Sequence, residues 1–285
     1  MRKKVLLYFI GVLFLLNIFA WQEVFDLARA DNFKVVFLDV GQGDSAFIET
    51  PQMHQILIDG GPDSTILEKL EKLMPLADRT IDLIILTHPE KDHMRGLIEV
   101  LQRYKVGHIL WTGVVRDTPE YQKWISALTE EQEQGAKIII AKSGQIIKAG
   151  KVEIDILFPF ENLVGRELKD SNDSSIVSRL IFNNNSFLFT GDISSKAEEK
   201  LVNEGINLQS DVLKISHHGS KYSTSNLFLE NVNPEIAVIS VGKNSYGHPT
   251  AETLQRLENF GIKVLRTDTN SDIKIMSDGN TIQIK

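Results

Sequence analysis

From residue 32 onward, short apolar runs punctuated by glycine, asparagine and charged turns dominate the chain. FKVVFLDV, SAFIET, QILIDG, IDLIIL, HILW, KIII, VEIDILFP, SIVSRLIF, SFLFTG, DVLKIS, IAVIS, KVLRT, DIKIM and TIQIK are rich in β-branched and aromatic residues. They read as strands, alternating where one sheet face is wet and continuous where both faces are covered. Between some of them, apolar positions three and four apart predict helices over 64–74, 94–104, 119–134, 194–203, 225–232 and 250–260. Hairpins lead the first half, and strand–helix alternation follows. That order predicts one α/β (α+β) domain over 32–285, with two mixed sheets and helices packed outside them. No short-period repeat is present in the sequence.

Residues 1–30 follow a different pattern. Three basic side chains precede an apolar run from Val5 to Trp21 that only Asn17 breaks. Roughly 17 apolar residues lie at the lower limit for crossing a bilayer, and leading basic residues favour a cytoplasmic N-terminus. The segment reads as a signal peptide or a membrane anchor, and either places the body outside the cytoplasmic membrane. Ala28, Arg29 and Ala30 form a small-x-small cleavage sequence, although it stands well beyond the apolar run.

Charge and cysteine content narrow the chemistry. The first 30 residues carry four basic and two acidic side chains, which leaves the body with 27 against 36, a net charge of −9. Such an excess argues against a broad basic face for duplex nucleic acid and leaves room only for a local groove. The chain has no cysteine, so thiolate ligands, thiol nucleophiles and disulfides are excluded.

Every unusual polar cluster follows a strand. DVGQGD (39–44) follows the first, THPEKDH (87–93) follows IDLIIL, TGD ends at Asp192 after SFLF, SHHGS brings His217 and His218 after DVLKI, and YGHPT brings His248 after IAVIS. Strand ends on one sheet edge converge even when far apart in sequence, and ligands bind at such edges. Neutral imidazoles with carboxylates suit divalent metals, and a paired site activates water while stabilising a leaving oxygen. In an extended loop His88 and Glu90 would point one way, toward a first ion, with Asp92 and His93 directed toward a second. Asp192 would bridge the two, and His217 or His218 would complete the second site.

FLDVGQGDS, HPEKDH, FLFTGD, KISHHGS and YGHPT together resemble the metallo-β-lactamase fold, and within it the branch at the C-terminal end of the competence protein ComEC. The resemblance runs from about Phe33 to Lys285. It implies a four-layer αββα sandwich and a free-standing relative of that branch, without the ComEC membrane channel. It further implies a phosphodiesterase or nuclease acting on single-stranded DNA outside the membrane, through a metal-bridging hydroxide. Two departures stand out. Glu90 occupies the place of a second histidine in the commonest form of the fold, although the ComEC branch usually carries a carboxylate there, and where the first ion's third histidine is expected the chain offers Asn172 or Asp173. An oxygen-rich first site of that kind leaves manganese or magnesium competitive with zinc.

Of the two adjacent histidines, His217 is favoured as ligand, with His218 as substrate contact or supporting donor. His248 precedes a Thr-capped helix start and is expected to contact a substrate phosphate or donate a proton. Asp44 and Ser45 are expected at the entrance, and Ser220, Lys221 and Thr224 as phosphate contacts. Two other readings compete with a nuclease working beside a DNA-uptake channel. One is hydrolysis of a smaller phosphoester, such as a phosphocholine polymer or a nucleotide. The other is a catalytically quiet metal module that binds DNA or a partner.

Overall fold

The computed structural model describes residues 2–29, 33–75 and 77–285. The chain divides into two compact units, Met1–Asn32 and Phe33–Lys285. The first contains helix α1 (Arg2–Arg29). Its stretch Lys4–Gln22 is the one described helical segment long and apolar enough to cross a membrane, and all of its apolar side chains that are described lie exposed. Ala30, the last residue of the cleavage sequence, lies outside the described residues.

The second unit opens with β1 (Phe33–Phe37), β2 (Ala46–Glu49), β3 (Gln55–Ile58), β4 (Thr80–Ile85), β5 (Lys105–Trp111) and β6 (Lys137–Ile140). A second set follows: β7 (Ile146–Ala149), β8 (Val152–Phe158), β9 (Val177–Phe182), β10 (Asn185–Phe189), β11 (Val212–Lys214), β12 (Ile236–Ile239) and β13 (Lys263–Arg266). Finally β14 (Ile273–Ser277) and β15 (Ile282–Ile284) return to the first sheet. The sheets run β15-β14-β1-β2-β3-β4-β5-β6 and β13-β12-β11-β10-β9-β8-β7. Pairing is antiparallel from β15 to β3 and parallel from β3 to β6; in the second sheet β10 to β13 are parallel.

Period-two alternation decides which face each side chain serves. Phe33, Val35 and Phe37 of β1 join Ile154, Leu180 and Phe187 of the other sheet in a core between the sheets. Val36 faces outward, where α2 (Thr65–Leu73), α3 (Lys91–Leu101) and α4 (Pro119–Glu133) cover the first sheet. On the far side α5 (Ser195–Asn203), α6 (Asn226–Val232) and α7 (Ala251–Asn259) cover the second. The short α8 (Thr267–Asn270) precedes β14. The result is an αββα sandwich.

Besides the short α8, which the sequence pattern does not predict, two elements depart from the sequence expectation. β7 is a short edge strand with Ile146 and Lys148 exposed, so it lacks the apolar signature of a covered strand. Helix α3 begins at Lys91 rather than at residue 94. Its first turn therefore includes Asp92 and His93, and an acidic residue there suits the positive end of the helix. The extended loop expected through 88–93 ends at Glu90, which is the N-cap.

Candidate metal centre

Strand termini bring the polar clusters to one edge: Asp44 after β1, Asp59 after β3, His88 after β4, Asp192 after β10, His218 after β11 and Ser240 after β12. Close backbone packing fixes their spacing. A Cβ on Gly43 would stand 2.3 Å from the Asp92 carbonyl oxygen, and one on Gly96 1.9 Å from that of Gly60. The backbone N–H of Asp44 donates to the Asp92 carbonyl, and that of Gly60 to the His93 carbonyl. The loop after β1, the loop after β3 and the start of α3 are thereby locked together.

The imidazoles are set up in the same way. His93 donates from Nδ1 to Asp59 Oδ2 at 2.8 Å, and His218 from Nδ1 to the Ser240 carbonyl at 2.8 Å. Thr87 gives its hydroxyl proton to Asp59 Oδ2 at 2.7 Å, which leaves its oxygen to accept from His88 Nδ1 at 3.1 Å. All three Nε2 atoms are buried, with no hydrogen-bond partner among the described residues. Holding the outer ring nitrogen as donor so that the inner lone pair is free is how metal-binding histidines are oriented.

Their spacing fits a cation. His93 Nε2 is 3.4 Å from Asp192 Oδ2, His218 Nε2 is 3.4 Å from the same oxygen, and His218 Nε2 is 3.3 Å from Asp92 Oδ2. Tetrahedral ligands about 2.1 Å from an ion stand about 3.4 Å apart. Three of the six spacings among Asp92, His93, Asp192 and His218 thus match one divalent ion, and Asp92, His93 and His218 form a donor group of their own. His88 groups with His93 and Asp192 alongside them.

The electrostatics agree. Burial opposes charge on His218, yet Asp192, Asp44 and Asp92 outweigh it and push its pKa up to about 10. His93 is likewise raised, because Asp192, Asp59 and Asp44 overcome its burial. Asp192 is held well below the usual carboxylate range despite burial, by His218, His93 and Lys214. The carboxylates thus draw positive charge into the centre. Burial, reinforced by His93, drives His88 down to about 3, so it stays a neutral donor.

Among the functional residues that escaped the sequence reading are Asp59, Thr87 and Lys214. Lys214 Nζ, buried, pairs with Asp44 Oδ2, donates to the Gly191 carbonyl at 2.9 Å and lies 3.5 Å from Asp192 Oδ1. A lysine in the apolar run DVLKIS and an aspartate closing QILIDG are the only sequence signals of them, and both read as strand ends.

The expected ligands lie in different surroundings. The donor groups contain His218; Glu90, Asp173, His217 and His248 are in none of those found among the described residues. His217 and His218 both have left-handed backbone, φ 50° and 53°, an uncommon conformation for non-glycine residues. His218 faces the donors, whereas His217 Nε2 meets Asn172 Nδ2 at 3.5 Å. Glu90 binds Ser171 Oγ and, at 2.9 Å, Arg116 Nη2. Asp173 accepts from the Ser194 backbone N–H at 3.0 Å, a loop tie at the entry to α5.

Among the expected substrate contacts, Asp44 and Ser45 are buried instead of lining an entrance; Asp44 belongs to two of the donor groups, and Ser45 Oγ donates to the Asp59 carbonyl. Ser220 and Thr224 are buried too, because Glu198 of α5 accepts the backbone N–H groups of Thr224 and Ser225 and draws that turn inward. Lys221 remains at the surface, its ammonium 5.3 Å from the Tyr222 ring centroid. His248 is half-buried with Nδ1 unpartnered among the described residues, and its ring lies 5.5 Å from that of His217.

A family model for the metallo-beta-lactamase superfamily matches residues 38–243. The chain belongs to the metallo-β-lactamase superfamily. It is 32% identical over 259 residues to ComE operon protein 3 of Bacillus subtilis (strain 168), covering 85% of this chain. To competence protein ComA of Neisseria gonorrhoeae it is 32% identical over 242 residues, 84% of this chain. The aligned region makes up 32% of each of those relatives. Among solved structures, Igni18, a metallo hydrolase of Ignicoccus hospitalis, has a TM-score of 0.54 at 18% identity, covering 85% of this chain and 98% of that one. CmlA, a diiron β-hydroxylase of Streptomyces venezuelae, has a TM-score of 0.54 at 16% identity, covering 86% and 54%. These two share the metallo-β-lactamase fold with the chain. The chain is a metallo-β-lactamase superfamily hydrolase whose His/Asp cluster is suited to a divalent metal.

Proposed function

We propose that the Phe33–Lys285 unit is a metal-dependent phosphodiesterase that cleaves single-stranded DNA outside the cytoplasmic membrane, exported or anchored by residues 1–30. The observation that carries the chemistry is the convergence of Asp92, His93, Asp192 and His218, with unpartnered Nε2 atoms on both histidines. Two imidazoles and two carboxylates suit zinc or manganese better than magnesium. Such an ion supplies Lewis acidity and an activated water. Asp59, through His93, and Ser240, through His218, hold the rings in the ligand tautomer. Lys214 orients Asp192 from behind. His248 serves as a substrate contact; burial and the neighbouring His217 and His218 lower its pKa, so it meets a phosphate oxygen as a neutral imidazole rather than as a ready acid.

Two observations favour a polymer over a small ester. The relatives named for competence point to DNA handling, and aromatic rings lead outward from the donors. His218, His217, His248 and Tyr246 follow one another at centroid spacings of 6.2, 5.5 and 5.9 Å, and Tyr246 is 74% exposed. Tyr222, 68% exposed beneath Lys221, offers another ring and a cation. Single-stranded nucleic acid uses such rings as sequence-tolerant stacking platforms, and a few local contacts are compatible with the acidic body. The test is turnover of single-stranded DNA, duplex DNA, RNA and bis-nitrophenyl phosphate with manganese, zinc or magnesium. Tyr246→Ala should raise KM for single-stranded DNA about tenfold, within the range of one lost stacking contact, and leave the small ester unchanged. Turnover of the small ester alone would overturn the nuclease reading.

A further inference from the structure

The family resemblance leads to an expectation of two ions, but the groups available to a first ion are committed elsewhere. Glu90, the expected carboxylate, accepts from Ser171 Oγ and pairs with Arg116. Arg116 also donates to the Leu168 carbonyl at 3.4 Å. Those partners belong to two loops that pair with each other: Val115 N–H donates to the Arg166 carbonyl and Gly165 N–H to that of Gly113. Asp173 is taken by the Ser194 N–H, and Asn172 lies against His217. The second oxygen of Asp192, Oδ1, faces the Lys214 ammonium, so the carboxylate could serve two ions only through Oδ2. Among the described residues, only His88 and the shared His93 and Asp192 form a donor group on that side.

We propose that this chain holds one ion, at Asp92, His93, Asp192 and His218, and that Glu90 and Arg116 form a clasp that closes the first-ion position. The inference rests on the metal-centre reading above and assigns Glu90 and Arg116 a positioning role. The clasp ties the start of α3 to the loops 112–118 and 163–174. It turns Glu90 Oε1 to both Ser171 Oγ and one guanidinium nitrogen, whose charge stands in for a cation. Release of Glu90 would free a carboxylate two residues from His88, an added oxygen donor for that position.

The test counts bound metal. Chelator-stripped full-length protein in detergent is saturated with manganese or zinc, passed through a gel-filtration column and analysed by mass spectrometry for metal per chain. Wild type, Arg116→Lys and Glu90→Gln should each carry one ion, with dissociation constants within about twofold of one another. Arg116→Met should carry two. Circular dichroism verifies folding, and Arg116→Gln repeats the release if the methionine variant is unstable. Two ions in wild type falling to one in Glu90→Gln would overturn the proposal while leaving the metal centre standing. One ion in both folded release variants would overturn the clasp, and no ion in wild type would remove the metal centre and the proposal together.

Discussion

A neutral imidazole whose Nδ1 proton is committed to a buried acceptor can only accept at Nε2, and His93 and His218 are both held that way by Asp59 and Ser240. His218→Ala should therefore lose the ion, and His217→Ala should keep it; metal content per chain separates them, and the reverse result would return the ligand role to His217. Asp92→Asn and Asp192→Asn should each cost at least about a hundredfold in turnover with an unchanged circular dichroism spectrum, as for loss of a principal electrostatic group. Protons compete with the ion. In the metal-free protein His218 is pushed up to about 10, and His93 is raised as well, so at neutral pH both rings carry protons that metal binding must displace. Affinity should rise with pH over the neutral to alkaline range. Calorimetry in two buffers of different ionisation enthalpy should show proton release, and buffer-independent heats would contradict it. At this scale the sequence exposed His88, Asp92, His93 and Asp192 through their clustering. It could not rank His217 against His218, because two successive left-handed residues decide which ring faces in. Nor could it show that Glu90 is claimed by Arg116, a partner from a separate loop.

Strands and helices place these residues by abutting backbone on backbone. Most of them were legible because their apolar faces follow a period of two or 3.6 residues. The exceptions lack that face: β7 is a mostly exposed edge, and the first turn of α3 carries site residues where a core-facing stripe would otherwise begin. Gly96 shows how tight the packing is. A methyl group there would stand 1.9 Å from a backbone oxygen of the loop after β3, and neither backbone yields as a flexible side chain would. Gly96→Ala should cost about 1–3 kcal/mol, as overpacking does, and should weaken metal binding by shifting α3 and with it His93. Urea unfolding read beside a metal titration measures both. Unchanged stability would mean that the loop relaxes without resistance.

The molecule as a whole separates an apolar helix from a compact acidic body, and that division was legible in charge and hydropathy before any contact was known. All donors of the metal centre lie within Phe33–Lys285. Deletion of residues 1–32 should therefore leave metal content at its wild-type value and ester turnover within about twofold, measured without detergent. Loss of metal on truncation would tie the first unit to the centre. The most direct test of the account is a titration of manganese into chelator-stripped protein while cleavage of single-stranded DNA is followed. Cleavage should start from background, rise in proportion to bound metal and level off at one ion per chain; cleavage that persists in the stripped protein, or none at any loading, would contradict it.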